Sequence, residues 1–314
     1  MKTIMILSGG TSTAWHIAYV IHKYYKKYAK LIICDINPSY LVHTSVLADA
    51  YIQVPLIKSD NYYSEMLKII KENRVDIIVP LIDEDIKIFS NDNNDLEKLD
   101  AVSVAPPLNT INSLSDKRNM FKTLNAIGVI TPKIYTHTET LDANKQYFVK
   151  DAIGCGSKGA FLIKGLEAKK YLDDDNKIVQ EVCVNPEITV DTVVDGKEVY
   201  TICRERKEIK LGVSTKCKIY TDKEIQGIIE KISSKITLPT ISCIQFMKNT
   251  NGEWTLTDFN LRSGGGTAIS CAVGFEAVRY GVATWLGLPK NHEWLHLPEN
   301  DKYVVRRYEE VVTL

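Results

Sequence analysis

Cys243-Ile244-Gln245-Phe246-Met247 and Trp254-Thr255-Leu256-Thr257-Asp258-Phe259-Asn260-Leu261-Arg262 are two apolar-rich runs with Asn251-Gly252 between them. Both turn residues tolerate positive φ, so the segment predicts a β-hairpin. A two-residue turn there puts Thr250 opposite Glu253 and, further along, Gln245 opposite Asp258, with Cβ atoms about 4.5–5.5 Å apart. Asn260 emerges two positions on, on the same face, and Arg262 follows at the strand end. One carboxylate with two amide oxygens is a hard-oxygen set suited to Mg²⁺, which uses few protein oxygens and lets substrate phosphates complete its shell. Arg262 adds a fixed cation for a phosphoryl group in transit. Taken alone, D-x-N-x-R reads more plainly as a solvated edge hairpin. The opposed Gln245 and the following Ser263-Gly264-Gly265-Gly266-Thr267 favour a site, because successive glycines let backbone N–H groups approach an anion.

Upstream, Tyr147-Phe148-Val149-Lys150-Asp151-Ala152-Ile153-Gly154-Cys155-Gly156-Ser157-Lys158-Gly159 reads as a strand presenting Lys150, then a glycine loop able to fold over phosphates. It lacks the P-loop spacing, and a solvated strand lysine is the competing reading. Ile178-Val179-Gln180-Glu181-Val182-Cys183-Val184-Asn185-Pro186-Glu187-Ile188-Thr189-Val190-Asp191 is a buried strand that meets Glu181 and a proline turn. It could supply an adenine edge and a ribose carboxylate, or be a plain strand–turn–strand with exposed acids.

The first third alternates strand and helix. Thr3 to Leu7, Leu31 to Cys34 and Ile77 to Val79 are short, wholly apolar runs, as strands buried on both faces should be. Ser8-Gly9-Gly10-Thr11-Ser12 turns into a helix carrying Trp15, Ala18, Tyr19 and His22 at helical spacing. The pattern predicts an open parallel sheet with a ligand crevice at the carboxyl ends of its strands. The first loop has no GxGxxG, which counts against a nicotinamide dehydrogenase despite Asp35 after the second strand. Ser115 is the expected N-cap of a helix presenting Met120, Phe121, Leu124 and Ile127, with Gly128 as its stop. From Lys145 onward the chain becomes strand-rich.

Bulk properties narrow the function. The 314 residues carry 39 Lys+Arg against 39 Asp+Glu, for a formal net charge of zero. That balance argues against broad nucleic-acid binding, which needs a basic face. No apolar run approaches the roughly 18–20 residues of a membrane span. The seven cysteines form no CxxC pair, so a reduced, cytoplasmic setting without structural zinc is expected.

In this order the segments resemble the ATP-grasp superfamily, particularly the synthetase units of carbamoyl-phosphate synthase and stand-alone ligases. The resemblance implies an α/β (α+β) fold: a Rossmann-like N-terminal domain over 1–112, a lid subdomain with linker helix over 113–180, and a C-terminal subdomain over 181–314. It implies ATP gripped between the last two, with Mg²⁺ or Mn²⁺. Lys117 and Lys150 then match phosphate-contacting positions, and Gly154, Gly156, Ser157 and Gly159 the closing loop. Glu181 and Val182 match the adenine hinge, and Glu187 the ribose acid. Gln245, Asp258 and Asn260 match the metal positions, with Lys150 and Arg262 beside the transferred phosphate. Asp258 is one methylene shorter than the usual Glu. The implied activity is carboxylate–amine ligation through an acyl phosphate, on small-molecule substrates. A carboxyphosphate-forming unit and a non-catalytic ATP-binding module are the alternatives, and the superfamily analogy suggests a homodimer. Arg204, Arg206 and Lys216, with Gly265 and Gly266, are candidate substrate contacts.

Overall fold

The computed structural model describes residues 1–154, 159–210 and 213–313. The first unit contains β1 (Lys2–Ile6), β2 (Ala29–Asp35), β3 (Ala50–Gln53), β4 (Ile77–Val79) and β5 (Val102–Ser103). They form a parallel sheet in the order β3-β2-β1-β4-β5. Alternation along β1 and β2 divides their apolar side chains between two layers. Ile4, Ile6, Leu31 and Ile33 pack under the helices Ser12–Val20 and Ala277–Leu286, whereas Met5, Leu7, Ile32 and Cys34 face the helix Tyr62–Glu72. Burial on both sides explains why these strands are continuous apolar runs. The first helix buries Ala14, Ile17 and Ala18 and leaves Tyr19 exposed, so its inward face differs from the expected Trp15–Ala18–Tyr19–His22 stripe. Ala277–Leu286, near the chain's end, supplies Val278, Val282 and Ala283 to this first core.

The second unit is a small antiparallel sheet of β6 (Ile134–Tyr135), β7 (Gln146–Asp151), β8 (Phe161–Lys164) and β9 (Lys177–Gln180), ordered β6-β9-β7-β8. The third is a six-stranded antiparallel sheet of β10 (Val184–Asp195), β11 (Glu198–Lys210), β12 (Val213–Tyr220), β13 (Ile241–Lys248), β14 (Trp254–Asn260) and β15 (Lys302–Val305). Its order is β14-β13-β10-β11-β12-β15. One face is closed by the helix Lys223–Ser233, which inserts Ile225, Ile229 and Ile232 at i, i+4 and i+7. The helix Lys117–Ala126 adds Met120, Phe121 and Leu124 to the same core. Its N-cap is Asp116, which accepts from Arg118 N, rather than Ser115. No helix among the described residues is long and apolar enough to cross a membrane.

A buried ion pair ties these strands together. Asp191 on β10 and Arg204 on β11 are 0% and 2% exposed. Arg204 Nε and Nη2 donate to the two Asp191 oxygens at 2.6 and 3.2 Å. Cys243 Sγ on β13 and Thr267 Oγ1 donate to the same carboxylate at 2.9 and 2.8 Å, and Ser270 adds a third hydroxyl or thiol donor. Burial by itself would raise the Asp191 pKa, but Arg204 and these donors hold it below its ordinary value. Gly264 N in turn donates to Thr267 Oγ1 at 3.0 Å, so the glycine segment is pinned to the sheet through one carboxylate.

Asp191→Asn removes the negative charge and strands a buried guanidinium. It should destabilise the fold by about 3–5 kcal/mol, measured by urea denaturation. His16 titrates the other way round: burial first, then the neighbouring Arg306, lower its pKa to about 4. In the unfolded chain it binds a proton near pH 6.5 and in the folded chain only near 4. Stability is therefore lost as pH falls through that window, by at most about 1.4 kcal/mol per pH unit from this group. A His16→Gln variant should show a shallower decline in denaturation midpoint over pH 6.5–4.

Candidate active site

The hairpin reaches the expected register by an unexpected route. Asn249 N donates to Glu253 O and Gly252 N to Asn249 O, both at 3.0 Å. The loop is therefore three residues long, Thr250 to Gly252, with Gly252 at φ +82° taking the left-handed position such loops require. Thr250 does not face Glu253. Next to the loop Lys248 pairs with Trp254 and Phe246 with Leu256, one residue out of the expected pairing. A β-bulge then absorbs the extra residue, Thr257, and beyond it Gln245 pairs with Asp258 and Cys243 with Asn260. Gln245, Asp258 and Asn260 are half-buried while Ile244, Phe246 and Phe259 between them are buried in the core. The three oxygen-bearing side chains thus share one face.

The bulge also supplies an acceptor. A bulged residue falls out of the ladder, and the Thr257 carbonyl accepts from Lys150 Nζ at 2.8 Å. Lys150 reaches it from β7, passing 5.4 Å from the Phe121 ring centroid. Burial lowers the Lys150 pKa to about 8, with Asp258 opposing that shift. Lys117, in the first turn of its helix, is also buried. Its Nζ donates to Gly154 O at 3.0 Å and lies 3.6 Å from Asp258 Oδ1. Two ammonium groups therefore converge around one carboxylate at the junction of the small sheet, the linker helix and the hairpin.

They line one end of a cavity of about 310 Å³. Phe148 and Leu162, paired across β7 and β8, form one apolar wall, and Met247 from β13 lines it as well. Val182 and Cys183, in the connection between β9 and β10, line it together with Gln180. A smaller adjoining cavity includes Asp83, Ser115, Lys117, Asp258 and Asn260. Arg262 follows β14 with its Nε 3.7 Å from Asp83 Oδ1, and its Nη1 donates to Ser263 O at 3.3 Å. Burial raises the Asp83 pKa. The first unit thus meets the hairpin through this charged pair.

Other sequence-predicted residues fall in different places. The Glu181 carboxylate accepts from Lys133 N at 3.1 Å and its N–H donates to Lys133 O at 2.9 Å. Glu181 thus clamps the small sheet, and the preceding Gln180 lines the cavity instead. Gln180 Oε1 is buried without a hydrogen-bond partner among the described residues. Strand alternation could have revealed it, since Gln180 and Glu181 must face opposite sides. Glu187 lines the cavity and is ion-paired with Arg206. Arg204 is no surface substrate contact: its charge is spent on Asp191 in the core. Lys216 is exposed and paired with Glu208 at 2.8 Å, away from both cavities. Gly154 and Gly159 carry positive φ, +138° and +70°; Gly156 and Ser157 lie outside the described residues. Gly265 and Gly266 also lie outside the larger cavity, and a Cβ at Gly266 would overlap the Arg204 guanidinium. Phe148, Leu162 and Met247 went unread because an apolar residue on a strand signals core before it signals ligand.

As to a metal, no cluster of three His, Cys, Asp or Glu side chains among the described residues could hold an ion. The oxygen set is one carboxylate and two amides, beside two ammoniums. Such a set fits a hard cation that arrives with phosphate oxygens rather than one caged by protein alone.

Two family models match the chain. One is described as the PylC-like, N-terminal domain and covers residues 4–105; the other is described as the ATP-grasp domain and covers residues 114–265. No curated protein sequence matches. Among solved structures, an L-amino acid ligase from Bacillus licheniformis is similar with a TM-score of 0.70 at 12% identity, covering 95% of this chain and 78% of that one. A biotin carboxylase–β-γ-ATP complex from Campylobacter jejuni gives 0.73 at 17%, covering 96% and 74%. An N5-carboxyaminoimidazole synthetase from Staphylococcus aureus, complexed with ADP, gives 0.69 at 15%, covering 92% and 78%. At these identities the likeness establishes a shared fold.

Proposed function

Because this chain belongs to the ATP-grasp superfamily of enzymes, we propose that it is a carboxylate–amine ligase that activates its acid substrate as an acyl phosphate at the expense of ATP. The observation that carries the reading is the convergence of Lys117, Lys150 and Asp258 at one end of a slot walled by Phe148, Leu162 and Met247. A flat, apolar-faced base fits between such walls, and its polyphosphate suits the cationic end.

In this reading adenine lies in the slot, where the unpartnered Gln180 oxygen and the backbone at Val182 meet its polar edge. Glu187 faces the ribose. Lys117 and Lys150 hold the phosphates. Gln245, Asp258 and Asn260 would hold Mg²⁺, which supplies charge neutralisation of the polyphosphate when bound. A carboxylate oxygen of the acid substrate attacks the γ-phosphorus as the bond to the ADP oxygen breaks, and Arg262 stabilises the phosphoryl group in passage. The amine then attacks the carbonyl carbon of the acyl phosphate; inorganic phosphate leaves and the amine loses a proton. Closure of the β6–β9 sheet over the slot keeps water from the intermediate.

The test is ATP- and acid-dependent phosphate release, with hydroxylamine trapping the activated acid as a hydroxamate. Asp258→Ala and Arg262→Ala should lower kcat/KM by about 10²–10³. Lys150→Met should raise the KM for ATP by about 10- to 100-fold, the worth of a charge-assisted hydrogen bond. Variants that turn over like the parent would sink the assignment. Turnover with bicarbonate as the sole effective acid would replace the acyl phosphate by carboxyphosphate.

A further inference from the structure

Beyond Arg262 the chain assembles a second group of charges that phosphoryl transfer leaves unused. Arg306 follows β15, and its backbone N–H donates to Thr215 O at 2.9 Å. Its guanidinium is half-buried and donates through Nη2 to the carbonyl of Gly265. It makes no ion pair among the described residues. The carboxylate whose field reaches it, Asp191, is already held by both arms of Arg204. Two guanidiniums therefore share one carboxylate.

His16, beside Arg306, does not change that sum. Burial and Arg306 itself keep it neutral at pH 7, and its Nε2 is buried with no partner among the described residues. Counted over the described residues, the cluster carries one uncompensated positive charge, partly out of water, where a guanidinium favours a fixed anion. Ser12 completes it. A Cβ at Gly265 would lie 3.2 Å from Ser12 Oγ, so the hydroxyl and Arg306 flank the same glycine. Neither lines the slot nor its smaller neighbour.

We propose that Arg306, with Ser12 beside it, receives the carboxylate of the amine-bearing substrate, which makes the nucleophile an amino acid or peptide rather than a plain amine. One uncompensated guanidinium matches one carboxylate, and its fork can bind both oxygens. A position outside the slot suits a group that stays unreacted while the amine at the other end attacks. The inference rests on the ligase reading above and names the class of its second substrate.

The experiment compares two nucleophiles on the same activated acid. The first is hydroxylamine, which has no carboxylate; the second is drawn from a panel of amino acids and their carboxamides. Parent enzyme should prefer the free acids to the carboxamides. Arg306→Ala should raise the amino-acid KM by about 10- to 100-fold and erase that preference, while hydroxamate formation changes at most about twofold. Arg306→Lys should restore part of the preference, and Ser12→Ala should weaken it. If Arg306→Ala keeps the parent's amino-acid KM and preference, the proposal is wrong. If it loses hydroxamate formation equally, Arg306 serves activation and the proposal is again wrong. If the parent forms no hydroxamate with any acid, the ligase reading fails and takes this site with it.

Discussion

The Thr257 carbonyl, released from the ladder by one surplus residue, receives the Lys150 ammonium from the opposite sheet. That bond links three features that would otherwise vary independently: the register of the β13–β14 hairpin, the position of the small sheet, and the placement of a half-buried cation. Without the bulge the three-residue loop would carry its one-residue offset along the whole hairpin. Side chains alternate along a strand, so such a slip would turn Asp258 to the other face. The bulge cancels the offset and aims a carbonyl at the lysine in the same residue.

A second constraint works beneath the first. Asp191 gathers Arg204, Cys243, Thr267 and Ser270 from separate parts of the chain. A buried carboxylate is costly unless its lone pairs are filled, and filling them from four sources specifies where those sources lie. The glycine segment after Arg262 therefore rests on a defined floor. Gly266 lies where only a residue without Cβ fits over the Arg204 guanidinium. The β13–β14 hairpin and the charge cluster around Arg306 are thus joined through the core.

Some of this was legible in the chain and some was not. The apolar runs of β1, β2 and β4 announced a doubly covered parallel sheet, because a strand buried on both faces has no polar alternation to show. The pairing of Gln245 with Asp258 was also legible, although the loop chemistry behind it was misread. Asn251-Gly252 signals a two-residue turn, and sequence contains no sign that Thr250 joins the loop or that Thr257 bulges. Arg204 shows the opposite failure. A lone arginine in a polar strand reads as exposed, and only the Asp191 partner thirteen residues away, brought to the diagonal position by the pairing of Thr189 with Arg204, lets it be buried.

By itself the sequence determined the alternation of strands and helices, the hairpin that faces Gln245 with Asp258, and the presence of cations at Lys117, Lys150 and Arg262. These depend on local periodicity and on residue chemistry, which a linear chain displays. Only the tertiary structure decided which cations are free to meet a ligand. Arg204 is neutralised within the core, Arg206 and Lys216 are paired with Glu187 and Glu208, and Arg306 has no counter-ion among the described residues. Charge compensation acts through space between strands far apart in sequence, so it is settled by packing.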